Sequence, residues 1–217
     1  MSWFYYFSRI IVRILLFFLT RLQINGKEHI PNTGPLIIVS NHLNLVDPPL
    51  LGSIIKRHLI FMAKEELFRS RIIGYFIRNY GAFAIHRGKL DRKALHQAHQ
   101  ILTNGLALAI FPEGTRSKTR QLRQALHGPA LIALRNNAPI LPIGITGTEK
   151  IRGKAWLLHR PQITVNIGQP FYLQSANKRL TKAELTEQTN LIMTRLAELL
   201  PPEYRGIYTE ESDDTKN

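Results

Sequence analysis

A chain of 217 residues is long enough for one domain with a small appendage and too short for two independent enzymes. Its 44% hydrophobic and 20% charged residues supply one real core and exclude a disordered, collagen-like or polytopic membrane protein. No cysteine occurs, so disulfide frameworks, thiolate zinc sites, iron–sulfur clusters and cysteine nucleophiles are excluded. The formal net charge of +14 points to an anionic partner: nucleic acid, an acidic membrane surface or a phosphorylated substrate. That charge belongs to the main body, because residues 1–160 carry 23 Lys and Arg against 7 Asp and Glu, and residues 161–217 carry 6 against 8. No zinc finger, basic zipper or RNP-like aromatic strand accompanies it, so the expected ligands are membrane or phosphate rather than nucleic acid.

The first element is the apolar run Trp3 to Leu19, interrupted by Ser8, Arg9 and Arg13. A helix there places Arg9 and Arg13 on one face, which is expected to be wet. A spanning helix needs about 20 mainly apolar residues, and a central Arg costs about 2.5 kcal/mol or more, so the run suits a helix lying in a membrane interface. The alternative is a core helix closing one side of the domain. The first eight residues lack a basic region and no small-residue cleavage site follows, so a removable signal is not expected. Trp3 to Phe7, then Arg9, Arg13 and Arg21 with no acid before Glu28, favour anionic lipid. The organisation read from the chain is an anchoring segment at 1–24, one domain at 25–208 and an acidic, disordered tail at 209–217.

From Pro35 onward short apolar runs alternate with amphipathic stretches. LIIVS (36–40), LIFMA (59–63), AFAIH (82–86), LAIF (108–111) and PILPIGI (139–145) read as strands. A helix from Glu65 to about Asn79 is expected to turn Phe68, Ile72, Ile73, Phe76 and Ile77 inward. A second starts at the cap Asp91, has Leu95, Ala98 and Leu102 on one face, and ends before Gly105. A last helix, about Lys182 to Leu199, follows Thr181 with Glu184 three residues on, a capping-box pattern, and stops before Pro201 and Pro202. The alternation predicts an α/β fold with a mainly parallel central sheet flanked by helices.

Ligands of such folds gather at the carboxyl ends of strands, and the residues there are unusual. LIIVS leads into Asn41, His42 and then Asp47; AFAIH leads into Arg87; LAIF leads into Pro112, Glu113, Gly114, Thr115, Arg116 and Ser117. A His steadied by a carboxylate is a general base, and His42 with Asp47 is a candidate pair. On a straight helix the two would point about 140° apart, so the segment must turn for them to meet. Asp47 before Pro48 is biased out of the helical region, which supplies a turn; equally, Asp47 caps a helix while His42 packs in a loop. No GxSxG elbow occurs, so the base would have to activate an acceptor hydroxyl directly. Gly114 offers close backbone approach to an anion, and the guanidinium forks of Arg116 and Arg87 match phosphate oxygens. The alternative pairs these arginines with Glu113 or Asp91, yet no acid occurs between Glu113 and Glu149 while five Lys and Arg do. His96 and His99 have ligand-pair spacing on a helix, but with no acid beside them they read as surface histidines.

NHLNLVD, GAFAIHRG, FPEGTRS and ILPIGI stand in the order and approximate spacing of the four blocks of the glycerophospholipid acyltransferases. The chain resembles the 1-acyl-sn-glycerol-3-phosphate acyltransferase family over about residues 25–170. The resemblance implies acyl transfer from an acyl-carrier-protein or coenzyme A thioester to lysophosphatidic acid, giving phosphatidic acid at the cytoplasmic face of the cell membrane, by a peripheral or monotopic enzyme. It implies His42 as base and Asp47 as its orienting partner. Glu113, Gly114, Thr115 and Arg116, with Arg87, would hold the phosphorylated acceptor, and Pro142 falls in the block linked to chain or acceptor placement. No cofactor and no metal are called for. His86 and His127 depart from the acidic residue and the Lys common at those places, which bears on the acceptor headgroup. The rival readings are another lyso-lipid or glycerol 3-phosphate as acceptor, and a non-catalytic protein that binds anionic membrane.

Overall fold

The computed structural model describes residues 3–86, 91–154, 156–174 and 180–209. The predicted acidic tail lies, from residue 210 on, outside the described residues, as does Arg87. Among the described residues seven strands form one sheet: β1 (Arg21–Asn25), β2 (Leu36–Ser40), β3 (Leu59–Lys64), β4 (Ala82–Ile85), β5 (Ala107–Ile110), β6 (Ile140–Thr146) and β7 (Gln162–Ile167), in the order β1-β7-β6-β2-β5-β3-β4. Pairing is parallel from β6 through β2, β5 and β3 to β4; β7 runs antiparallel to β6, and β1 is parallel to β7. The predicted mainly parallel α/β sheet is therefore what forms. β2 and β5 are buried along their whole lengths, which is why they read as unbroken apolar runs.

The helices are α1 (Trp3–Leu19), α2 (Asp47–Ile54), α3 (Arg71–Asn79), α4 (Arg92–Thr103), α5 (Gly128–Asn136), the single turn α6 (Trp156–His159), α7 (Lys182–Ala197) and the single turn α8 (Pro202–Arg205). Successive strand residues point to opposite faces. Ile37, Val39, Leu108 and Ile110 meet Ala98 and Leu102 of α4, Ile132 and Ala133 of α5, and Ile192 and Leu196 of α7. Leu36, Ile38, Ala107 and Ala109 meet Leu50 and Leu51 of α2 and Leu16 of α1 on the other side. Asp91 caps α4 by accepting from the Ala94 amide at 3.0 Å, and Thr181 and Glu184 form the predicted capping box of α7.

Four readings are corrected. The boundary at residue 24 separates nothing, because Arg21–Asn25 is the edge strand β1; with only Leu22 and Ile24 apolar, a half-exposed edge strand leaves little signal. Arg9 and Arg13 share a face of α1, but that face is not wet throughout: Arg9 is half-buried and donates to the Lys56 carbonyl at 3.0 Å, while Arg13 is exposed. Part of the cationic surplus is likewise spent internally, since Arg57 donates to the carbonyls of Pro31, Gly34 and Gly105, and Arg160 to those of Phe17 and Thr20. Finally, Glu65–Phe68 is a separate 3₁₀ turn, and α3 starts afresh after Ser70, whose hydroxyl accepts from the Ile73 amide.

The last correction reverses an orientation. Ile72, Ile73 and Phe76 are exposed, at 72%, 50% and 52%, whereas Phe68 and Ile77 are half-buried as expected, and the fully buried residue of α3 is Gly74. A Cβ at Gly74 would lie 2.8 Å from the Phe68 carbonyl oxygen, so close backbone contact fixes which face turns in. α1 is also two-faced. Tyr5 and Leu16 are buried and the Tyr5 hydroxyl accepts from the Leu59 amide at 3.1 Å, whereas Trp3, Phe7, Ile10, Ile14 and Phe17 line an exposed ridge. Among the described residues no helix is long and apolar enough to cross a membrane.

Gly74→Ala tests the orientation. Helix propensity alone favours Ala by about 1 kcal/mol, but the backbone clash costs about 1–3 kcal/mol, so urea denaturation should show no gain or a net loss of stability. A gain of about 1 kcal/mol would mean that Gly74 is not packed.

Candidate active site

β2 delivers Asn41 and His42 to the carboxyl rim of the sheet. The buried Asn41 amide clamps the β6 backbone, donating to the Ile145 carbonyl and accepting from the Ile145 amide, both at 2.8 Å. The chain then turns through residues 43–46 into α2, and Asp47 stands in the first turn of that helix with Val46 as its cap. Asp47 is fully buried. Its Oδ2 accepts from the Leu43 and Asn44 amides, both at 2.7 Å, and lies 2.8 Å from His42 Nδ1; its Oδ1 accepts from the Thr148 hydroxyl at 2.6 Å. The carboxylate caps the loop before it rather than its own helix, and that loop carries the imidazole back to it. Of the two alternatives the sequence posed, the pairing forms and the helix cap does not, since Val46 is the cap residue of α2 and no side chain caps that end.

With Nδ1 donating to Asp47, the lone pair of His42 resides on Nε2. The ring stacks on Phe111 at 4.2 Å between centroids, and the residue is held by its main chain as well. The His42 amide donates to Glu113 Oε1 at 3.2 Å, and the His42 carbonyl accepts from the Ser117 amide at 2.8 Å. His42 forms part of the wall of an apolar pocket of about 460 Å³, bounded by Phe4 and Val12 of α1, Phe76 of α3, Tyr80, Phe111 and Ile132 of α5. Such a base in an apolar pocket can take a proton from a bound hydroxyl while water is excluded.

The other expected site residues fall in different places. Glu113 is 6% exposed, and its second oxygen accepts from the Arg123 amide at 3.2 Å, so it braces two stretches of backbone and presents no free oxygen to a ligand. Burial pushes its carboxyl up to about 7, opposed in part by the His42 and Arg123 amides. Gly114 borders the pocket with φ 70, but its amide already donates to the Phe111 carbonyl at 3.0 Å. Thr115 and Arg116 are exposed on the same loop. Pro142 is not brought to the pocket: it is buried in β6 opposite Val39, where its carbonyl accepts from the Gly168 amide at 3.0 Å. His99 bonds Asn136 at 2.6 Å, and among the described residues no cluster of three or more His, Asp or Glu is arranged to hold a metal.

Three supports were missed. Thr148 follows β6 on the same rim after Gly147, whose φ of 88 makes the turn, and its position just past a strand end was the available signal. The Asn44 side chain donates to the Thr148 and Ile151 carbonyls at 3.0 and 3.1 Å. Tyr204 in α8 accepts from the Leu122 amide through its carbonyl and donates its hydroxyl to Glu149, both at 2.8 Å, which fastens the chain end to the loop after Glu113. Burial, reinforced by Glu149, pushes the Tyr204 phenol up to about 12.

The Acyltransferase family model matches residues 21–146, strands and loops of this site included. The 1-acyl-sn-glycerol-3-phosphate acyltransferase of Streptococcus pneumoniae is 31% identical over 205 residues, spanning 90% of this chain and 73% of that protein. The chain belongs to the acyltransferase family. The enzyme of the same name from Bacillus subtilis is 27% identical over 196 residues, 90% of this chain and 96% of that one. Among solved structures, the 1-acyl-sn-glycerophosphate (LPA) acyltransferase PlsC from Thermotoga maritima shares the fold of this acyltransferase, with a TM-score of 0.65 and 23% identity over 89% of this chain and 79% of that one.

Glu113 makes a pH prediction. Its folded pKa is raised above the ordinary 4.5, so the folded state holds the proton longer than the unfolded state between about 4.5 and about 7. Stability relative to a Glu113→Gln variant should therefore fall across that window, by on the order of 2–3 kcal/mol, and level off above it. Urea titrations of both proteins from pH 4 to 8 measure this; a difference that is constant or rises with pH would contradict the buried, raised carboxyl.

Proposed function

We propose that this acyltransferase moves a fatty acyl group from a thioester of acyl-carrier protein or coenzyme A to the sn-2 hydroxyl of 1-acyl-sn-glycerol-3-phosphate, giving phosphatidic acid. The observation that carries the reading is the buried Asp47 carboxylate holding His42 by Nδ1 in the wall of an apolar pocket. The names and coverage of the relatives support the acceptor. The enzyme acts at the cytoplasmic face of the membrane, on anionic lipid, as a peripheral or monotopic protein, with the exposed ridge of α1 in the interface.

In the reaction, His42 Nε2 takes the proton of the acceptor hydroxyl as its oxygen attacks the thioester carbonyl carbon. Asp47 holds the Nδ1–H tautomer and steadies the imidazolium that forms. Collapse of the tetrahedral species breaks the carbon–sulfur bond, and the imidazolium returns the proton to the departing thiolate. No group on the enzyme is acylated, and neither a resident cofactor nor a metal is used. Arg116, exposed beside the pocket and without an ion pair among the described residues, meets the acceptor phosphate, with Arg87 as a second cation.

His42→Ala should lower kcat by on the order of 10² to 10⁴ while circular dichroism stays native, and Arg116→Ala should act mainly through KM for lysophosphatidic acid. Both are read in detergent with lysophosphatidic acid and each thioester in turn. Near-normal turnover of the first variant would reject His42 as base, and unchanged acceptor kinetics of the second would reject Arg116 as phosphate ligand.

A further inference from the structure

Most of the outward face of α3 is left uncovered by the described residues of the fold. Ile72, Ile73, Tyr75 and Phe76 are all half or more exposed, in a helix whose spacing gathers them on one side, and nearby Leu67 adds to them. Four large apolar residues clustered on nine are far more than the scattered exposure normal on a soluble surface. The patch continues onto α1: the Phe4 ring touches Tyr75 at 6.3 Å and Phe76 at 5.8 Å between centroids, and beyond Phe4 runs the exposed ridge Trp3, Phe7 and Ile10.

Charge selects the occupant. Neither helix contains an acid, while Arg71 and Arg78 stand at the two ends of α3 and Arg69 just before it. The nearest acids are engaged, Glu66 with Lys64 at 2.9 Å and Glu65 with His86. An apolar ridge rimmed by arginines fits the boundary between acyl chains and anionic headgroups, and a second protein surface would need matching acids around an apolar patch of its own. The position adds a reason. Phe4 of α1, Phe76 and Ile77 of α3, and Leu67 of the turn before α3 line the same pocket as His42.

We infer that α3 is a second lipid-docking element, which together with α1 seats the pocket mouth on an anionic membrane so that acyl chains pass between the two helices without crossing water. The inference rests on α1 being the first such element. Seating by α1 alone would fix one line of contact and leave rotation about it free; α3 adds the second point that sets the tilt of the mouth against the lipid.

Because the chain has no cysteine, Ile73→Cys and Ile14→Cys each give a unique attachment point for an environment-sensitive dye on the 217-residue chain. On vesicles of phosphatidylcholine with phosphatidylglycerol, both positions should shift to the emission of a dry site, more strongly than on phosphatidylcholine alone. The double substitution Ile72→Ser with Ile73→Ser, at residues outside the pocket wall, should weaken vesicle affinity on the order of 10- to 100-fold. It should leave turnover of a short-chain acceptor dispersed in solution unchanged. A dye at 73 that stays wet while the dye at 14 shifts would overturn the inference for α3 alone. Unchanged vesicle affinity would also overturn it, as would a concentration-dependent dimer in sedimentation that the double substitution abolishes, which would assign the face to a second copy. Dye shift and vesicle affinity need no turnover, so failure of the proposed reaction shows separately, as absent product from a protein that still binds.

Discussion

The buried carboxylate of Asp47 is the constraint on which the site depends. A fully buried charge is costly unless every oxygen is engaged, and here four donors come from the loop after β2 and from the residue that follows β6. Meeting them forces residues 42–46 to curl back over α2 and sets the β6 end against that curl. The Asn41 clamp on Ile145 locks the same two strands one residue earlier. The imidazole therefore sits on a frame determined by hydrogen bonds that would all be lost together, which is how a loop residue attains the precision of one on a strand.

A second frame holds His42 from the opposite side. Glu113 and Ser117, in the loop after β5, bind the amide and carbonyl of His42, and the ring lies on Phe111 from the same loop. At Glu113 two effects oppose each other, since burial raises its carboxyl to about 7 while the amides it receives favour the charge. The loop between Glu113 and Leu126 is in turn fastened by Tyr204, so α8 supports the site without lining the pocket. Around these polar frames the pocket is apolar, and residues of α1 and α3 help to line it. The architecture separates tasks: hydrogen bonds fix the base, while exposed apolar helices face outward where a lipid substrate would come from.

Much of this was legible in the chain because local rules and tertiary structure agree there. The central strands are continuous apolar runs because both faces are covered, and Asp91, Thr181 with Glu184, and Trp3 to Leu19 obey helix rules that need no context. The pair His42 and Asp47 was visible as residue types at a strand end, although only the structure decides for the pairing and against Asp47 as a helix cap. What was hidden depends on contacts distant in sequence. β1 is an edge strand with only Leu22 and Ile24 apolar, and α5, buried along Pro129 to Ala133, has no polar face to give a helical period. The apolar ridge of α3 has the period of a core helix, and periodicity cannot say whether the covering medium is protein; Gly74 against Phe68 decides it. Glu113 looked like a ligand for the acceptor because its loop is rich in cations, yet both of its oxygens are consumed by backbone amides. Pro142 belongs to a motif by its neighbours, but its own place is the sheet interior.

The most direct test of the account is the tautomer of His42 in the intact protein, read by nitrogen-15 resonance of the imidazole at alkaline pH and assigned by comparison with His42→Ala. A proton on Nδ1 and a bare Nε2 is the predicted result, since Asp47 Oδ2 lies 2.8 Å from Nδ1. A proton resident on Nε2 would mean that Asp47 does not hold the ring as a base facing the pocket, and the central claim would fail.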